Sequence, residues 1–216
     1  DDGDDTVFGG AGNDSVLANN GADSLFGEAG DDTLNGDGGL DSIDGGDGND
    51  LVFAGADNDT VSGGLGNDTV NGQAGNDSLS GDDGDDVLNG QAGQDSLNGG
   101  LGNDIANGNS GDDNIVGLDG DDSIYGGSGA DSLFGDADNI SGMETGNDRI
   151  RGNSGNDTIV GGLGADFLVG DTGDDLVQAV FVAEVVVPPP PPVPDPPPTP
   201  PPTTPSFPLQ DLLPAV

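Results

Sequence analysis

The sequence predicts an all-β fold: a parallel β-roll (a β-solenoid) of about ten 18-residue coils, followed by a Pro-rich extended tail. Three observations predict it. Aliphatic residues recur at nine-residue steps between Val7 and Val177, an Asp stands two residues before each, and a Gly stands four residues before nearly all. Periodicity of this kind fixes an architecture before local propensity is weighed. Composition alone would give a solvated polyanion, since 42 acidic residues face 2 basic ones, for a net charge of −40 with 31% hydrophobic residues. A disordered chain does not hold Asp at one phase of a fixed period.

In register, the aliphatics run Val7, Val16, Leu25, Leu34, Ile43 and onward to Leu133, stumble through Ile140, and resume at Ile150, Ile159, Leu168 and Val177. That makes 20 units with Ile140 counted, and the Gly is absent only at Asp57 and Asp136. Nine residues match no helical period, and Gly at this density destroys a helix. The unit reads instead as a six-residue Gly/Asx turn and a three-residue strand whose middle side chain points inward. Glycine reaches φ > 0 cheaply, as so tight a turn requires. Two units close a coil with a strand on each side. Stacked coils then form two parallel sheets across a thin aliphatic seam, about 50 Å long at the usual strand spacing.

Gly45-Gly46-Asp47-Gly48-Asn49-Asp50-Leu51-Val52-Phe53 and Gly63-Gly64-Leu65-Gly66-Asn67-Asp68-Thr69-Val70-Asn71 resemble, residue for residue, the GGxGxDxUx nonapeptide of the RTX (repeats-in-toxin) family. The resemblance covers about 80% of the chain. It implies a calcium-binding β-roll and secretion to the cell exterior or surface by a Gram-negative type I system. Such a chain is unfolded in the low-calcium cytosol and folded outside as a folding, spacer or adhesive module. A surface-filament or matrix protein, and a non-catalytic segment of a secreted toxin or hydrolase, are the alternative roles. The family's C-terminal secretion signal is not recognisable, and the Pro-rich tail resembles a linker.

The 18-residue coil stacks Asp5 above Asp23 and Asp14 above Asp32. An ion between two stacked turns would take an Asp from each, with carbonyls exposed by the glycines. Calcium suits this set, because it accepts 6–8 oxygens in flexible geometry, whereas magnesium demands a strict octahedron. The candidate ligands are Asp5, Asp14, Asp23, Asp32, Asp41, Asp50, Asp59, Asp68, Asp77, Asp86, Asp95, Asp104, Asp113, Asp122, Asp131, Asp148, Asp157, Asp166 and Asp175. Twenty turns allow at most about 18 calcium ions, enough to bring the charge of −40 near neutrality. The run 136–146 departs from the pattern.

Other functions are excluded in turn. With no Cys and no His there is no disulfide, zinc thiolate site, Ser-His-Asp triad or HExxH zinc site. A polyanion is repelled by nucleic acid and anionic lipid, and no run of 18 apolar residues spans a membrane. EF-hand loops fail, since Leu17, Leu133 and Gly173 stand where the only glutamates would need a first ligand. No carboxylate pair is set apart as a glycosidase pair would be, so no enzyme is expected. Most of the six N-x-[ST] sequons are by-products of recurring Asn-Asp-Ser/Thr.

Residues beside the aliphatics point outward. Phe8 and Phe26 should stack on one sheet with Leu17 on the other, and Val116, Tyr125 and Phe134 make the outer positions apolar again. These are expected contact surfaces for neighbouring domains or self-association. Arg149 and Arg151, the only basic residues, share one outer face beside the break, where they compensate charge. Residues 1–187 form the roll, with the β-prone run 178–187 as a capping strand. Residues 188–205 are a polyproline linker of about 55 Å, and 206–216 a tail or the start of another domain. The start at Asp1, without initiator Met, reads as an excised or mature segment.

Overall fold

A computed structural model describes residues 2–136 and 146–179. Among them nineteen strands follow one another without a helix. The first strands, β1 (Thr6–Ala11), β2 (Ser15–Asn20) and β3 (Ser24–Ala29), step on by nine residues to β14 (Ser123–Ser128). Then come β15 (Ser132–Phe134), β16 (Arg149–Ser154), β17 (Thr158–Val160), β18 (Phe167–Thr172) and β19 (Leu176–Gln178). Odd-numbered strands build a ten-stranded sheet and even-numbered strands a nine-stranded one. Every pairing is parallel and steps by one coil, as in Val7↔Leu25↔Ile43. This is the β-solenoid of 18-residue coils that the periodicity predicts.

The strands differ from expectation in length, with six residues where three were expected. Pairing runs past the aliphatic and its outer neighbour to Gly10↔Glu28 and Ala11↔Ala29, skipping only the first glycine of each unit. The second position takes φ > 0 (Gly10, φ 103°), so the strand bends inward while its ladder continues. Where that position is not Gly, the backbone adopts the same conformation: Glu28 has φ 73° and Gln73 φ 76°. A side chain pays about 1–2 kcal/mol for it, a cost the ladder above and below imposes. The turn proper shrinks to three residues, such as Gly12–Asp14.

The core is a single seam. One aliphatic from each strand points inward, and Leu25 through Ile159 are almost wholly buried, with Val7, Val16 and Leu168 partly buried toward the ends. Outward, Phe8 and Phe26 stack with ring centroids 4.9 Å apart, as the two-unit spacing predicts. Val116 and Phe134 pair on the sheet that carries them, while Tyr125 lies on the opposite sheet. The later apolar positions are therefore divided between two faces. Arg149 and Arg151 do share one face: Arg151 Nε is 3.3 Å from Asp171 Oδ2, and the Arg149 guanidinium stands 5.4 Å from the centre of the Phe167 ring.

At the break the stack resumes in register. β14 pairs with β16 as Ser123↔Arg149, and β15 with β17 as Ser132↔Thr158, so one step between coils spans 26 residues instead of 18. Ile140, counted as a unit, lies outside the described residues, and the rung that follows Leu133 is Ile150. The expected polyproline linker and tail also lie outside them, as does the capping strand apart from Gln178 and Ala179.

Coil stacking sets a test of packing. Gly39 (φ 131°) lies so close to the coil before it that a Cβ would overlap Gly21 O, whereas Gly12 (φ 106°) has nothing within 4 Å of the same point. Gly12→Ala should cost about 1–2 kcal/mol from φ alone. Gly39→Ala should add an overpacking cost of about 1–3 kcal/mol, seen as a lower melting temperature in calcium. Equal melting temperatures for the two variants would refute this packing account.

Candidate metal centre

Each unit's Asp closes its turn with the side chain directed into the roll. Fifteen of the predicted ligands, from Asp23 to Asp157, are 1–3% exposed, while Asp5, Asp14, Asp166 and Asp175 at the ends are half-buried. The Asp68 carboxylate shows the common geometry. Its Oδ1 accepts the Asp50 N–H of the previous coil at 2.7 Å, and the Asp68 N–H donates to Asp86 Oδ1 of the next at 2.7 Å. This ladder continues across the break, from Asp122 to Asp148 and from Asp131 to Asp157. The expected stacking of Asp5 with Asp23 and Asp14 with Asp32 is present.

The second oxygen is different. Oδ2 is buried without a hydrogen-bond partner in sixteen of these residues, Asp14 among them. A buried ionised oxygen left unpartnered is costly. The surroundings of this oxygen are acceptors as well. At Gly63, a point one Cβ bond from the backbone lies 2.5 Å from Asp68 Oδ2 and 2.7 Å from Gly81 O of the next coil. Glycine here keeps open a cradle in which a carboxylate and a carbonyl face each other with no donor between. Two units depart: Ala18 and Ala54 hold the first position, and their buried methyls fill the cradles of Asp23 and Asp59. Among the described residues no three acidic side chains converge, so backbone carbonyls would supply most of an ion's oxygens. Oxygen-only donors, one carboxylate oxygen each and adaptable carbonyls fit calcium.

Burial pushes the unit carboxyls from Asp41 to Asp157 up from the ordinary 3.8; the backbone hydrogen bond opposes this, and for most of them like charges add to it. Asp68, Asp77, Asp86, Asp104, Asp113 and Asp131 rise to about 6, Asp59 and Asp148 to about 7, and Asp122 to about 8.

A second ladder escaped the sequence reading. The residue before each Asp, exposed and often Asn or Asp, reaches the other way: Asn49 Oδ1 accepts the Asn67 N–H at 2.9 Å, and Asn67 Oδ1 the Asp85 N–H at 3.0 Å. On one edge it runs unbroken from Asn13 to Ala165. On the other, Ala22, Leu40, Gln94 and Ala130 interrupt it among the described residues. The hydrogen bond from the Asn49 backbone N–H, with one from the Asn49 side chain, holds Asp31 below the usual carboxylate range. The signal in the sequence is the recurrent Asn-Asp pair, which otherwise explains only the sequons. Asp136 was missed too: it is 3% exposed, and its Oδ2 accepts the Leu163 N–H.

The model of the RTX calcium-binding nonapeptide repeat, four copies long, matches residues 1–34, 35–70, 71–106, 107–139 and 144–177. No individual curated protein matches the chain.

The raised carboxyls give a pH dependence of defined sign. Their folded values lie above the unfolded 3.8, so the unfolded chain loses its protons first. Metal-free stability is fully present below about pH 4 and is lost as pH rises through the window up to 6–8. In metal-depleted buffer, β-sheet circular dichroism should be stronger at pH 4 than at pH 8. In calcium the order should reverse, because protons then compete with the ion. An identical metal-free spectrum at both pH values would count against the buried-carboxylate account.

Proposed function

Because the chain belongs to the RTX calcium-binding nonapeptide repeat family, we propose that it is a calcium-dependent folding and spacer module of a secreted or cell-surface bacterial protein. In this reading the chain crosses the low-calcium cytosol unfolded and becomes a roll outside. The observation that carries it is the buried, unpartnered Oδ2 repeated on rung after rung. Those oxygens load both edges of the roll with charge that nothing in the chain neutralises, since both basic residues lie on an outer sheet face. A divalent ion in each gap supplies the missing charge and the missing bonds at once. Binding that exists only in the native state is folding free energy.

The family's activity is calcium binding by a structural repeat, and the repeated Asp offers no unique group for chemistry. The proposed role is therefore non-catalytic. The stacked pair Phe8–Phe26, with Phe8 62% exposed, favours a second reading in which rods also associate through their faces, as in a filament or matrix. The Pro-rich composition of 188–205 fits a spacer.

The test is calorimetric titration of metal-depleted protein with calcium, followed by far-UV circular dichroism. We expect a disordered spectrum in chelator, β signal in calcium and many ions per chain. The count should fall below 18, because methyls occupy the cradles of Asp23 and Asp59, and Ala54→Gly should add one ion. Two adjacent residues separate the ladders. Asp86→Asn should raise the calcium midpoint several-fold and remove at least one ion, while Asp85→Asn, which installs the residue found at Asn67 and Asn103, should change neither. A chain equally folded with and without calcium would defeat the reading.

A further inference from the structure

We propose that the outer face of the nine-stranded sheet carries a glycan-binding track whose ligand is an otherwise neutral oligosaccharide ending in one hexuronic acid. This goes beyond the calcium reading above and rests on it only for the roll being folded. The track begins with an amide ladder. Asn71, Asn89 and Asn107 stand side by side on neighbouring strands. Asn107 Nδ2 donates to Asn89 Oδ1 at 3.0 Å, Asn89 Nδ2 to Asn71 Oδ1 at 3.2 Å, and Asn71 Nδ2 to the Val52 carbonyl at 3.3 Å. Each amide is thereby held in one orientation and keeps a second N–H and a second lone pair for a ligand. Rungs about 4.8 Å apart repeat close to the advance of one pyranose ring along an extended glycan, so successive sugar hydroxyls can meet successive amides.

The ladder leads into a pocket. Tyr125 is the next rung after Asn107, and Arg151 the next after Tyr125. Tyr125, Arg149, Arg151 and Phe167 wall this pocket on the sheet face. Arg151 is committed within the chain, with Nε 3.3 Å from Asp171 Oδ2. Arg149 is not: among the described residues it makes no ion pair, and its guanidinium stands 5.4 Å from the centre of the Phe167 ring. Its N–H fork is left for a bidentate carboxylate. Phe167 is 55% exposed and Tyr125 half-buried, and both offer ring surface to the apolar side of a sugar. In a chain with 42 acidic residues and 2 basic ones, an arginine without a carboxylate of its own points to one supplied from outside. The charge of −40 also narrows the ligand. A polyuronate or an acidic peptide is repelled along its whole length, whereas a glycan neutral over the amides and anionic only at the arginine is not.

Tyr125 is the only tyrosine and there is no tryptophan, so intrinsic fluorescence reports the pocket directly. The full chain in calcium, its fold followed by circular dichroism, is titrated with aldotriouronic acid (glucuronic acid linked to xylobiose), with xylotriose and with triglutamate. We expect the acidic trisaccharide to change Tyr125 emission and to bind at least about tenfold more tightly than either control. Arg149→Gln should abolish the preference over xylotriose, and Asn107→Ala should weaken both sugars several-fold. Phe8→Ser, on the opposite sheet, should change neither. Triglutamate binding as tightly as the acidic sugar would make the pocket an acidic-peptide site and overturn the proposal. Equal binding of xylotriose, or an unaltered titration in Arg149→Gln, would overturn it as well. A chain that folds in calcium and binds no sugar overturns the proposal alone, and one that stays unfolded in calcium overturns both it and the calcium reading.

Discussion

A carboxylate buried once every nine residues, with one oxygen bonded and the other bare, is the constraint around which this rod is organised. The bonded oxygen accepts a backbone N–H exactly one coil back, so each Asp fixes the register between two coils without any long-range core. The bare oxygen turns that register into an electrostatic problem, because each coil brings another buried anion along the same edge. Desolvation then lifts carboxyls in the middle of the rod, Asp68 to about 6 and Asp122 to about 8. The glycines follow from the same constraint. At Gly63 a side chain would press between Asp68 Oδ2 and Gly81 O, and at Gly39 it would overlap the carbonyl of Gly21.

The aliphatic seam is secondary in this hierarchy. It contributes one side chain per strand, and each packs mainly against its neighbours in the stack, so burial grows by equal increments as coils are added. Val7, Val16 and Leu168 near the ends are only partly covered, as are Asp5, Asp14, Asp166 and Asp175. Seam and carboxylate ladder therefore weaken at the same places. Ala18 and Ala54 bring the two into conflict: each adds a buried methyl to the core and takes the open side of a cradle.

Much of this was legible before any coordinates. A period of nine, doubled to close a coil, yields the two parallel sheets, the inward aliphatics and the stacking of Asp on Asp one coil apart, because a repeated phase overrides local propensity. The strand length was not legible. Glycine suggests a turn, whereas in a parallel stack a glycine bend keeps its pairing, as at Gly10. The break was misread for another reason. Asp138 and Ile140 keep the local spacing of a unit, yet Ile140 falls seven residues after Leu133 and ten before Ile150, and coils close on the spacing between rungs. Asp136 looks like a missing glycine beside Asp57, yet Asp57 keeps the turn conformation with φ 79° and is exposed, whereas Asp136 directly follows Gly135, is not in the left-handed region and is buried.

The two side-chain ladders run in opposite directions, and that opposition separates the two edges of the rod. A buried Asp reaches back one coil, and the exposed residue before it reaches forward, so an interface with both is clasped from each side. The edge that runs from Asn13 to Ala165 has both at every step. The opposite edge loses the exposed clasp wherever Ala22, Leu40, Gln94 or Ala130 stands in that place, and there, among the described residues, the buried carboxylate joins successive turns alone. The exposed clasp is a complete hydrogen bond in open solvent, as where Asp31 Oδ1 accepts the Asn49 N–H at 2.9 Å, whereas the buried one carries an oxygen that only a proton or a cation can satisfy. The interrupted edge is accordingly the one whose order depends most on the proposed ions, even though both edges carry the same aspartate at the same phase.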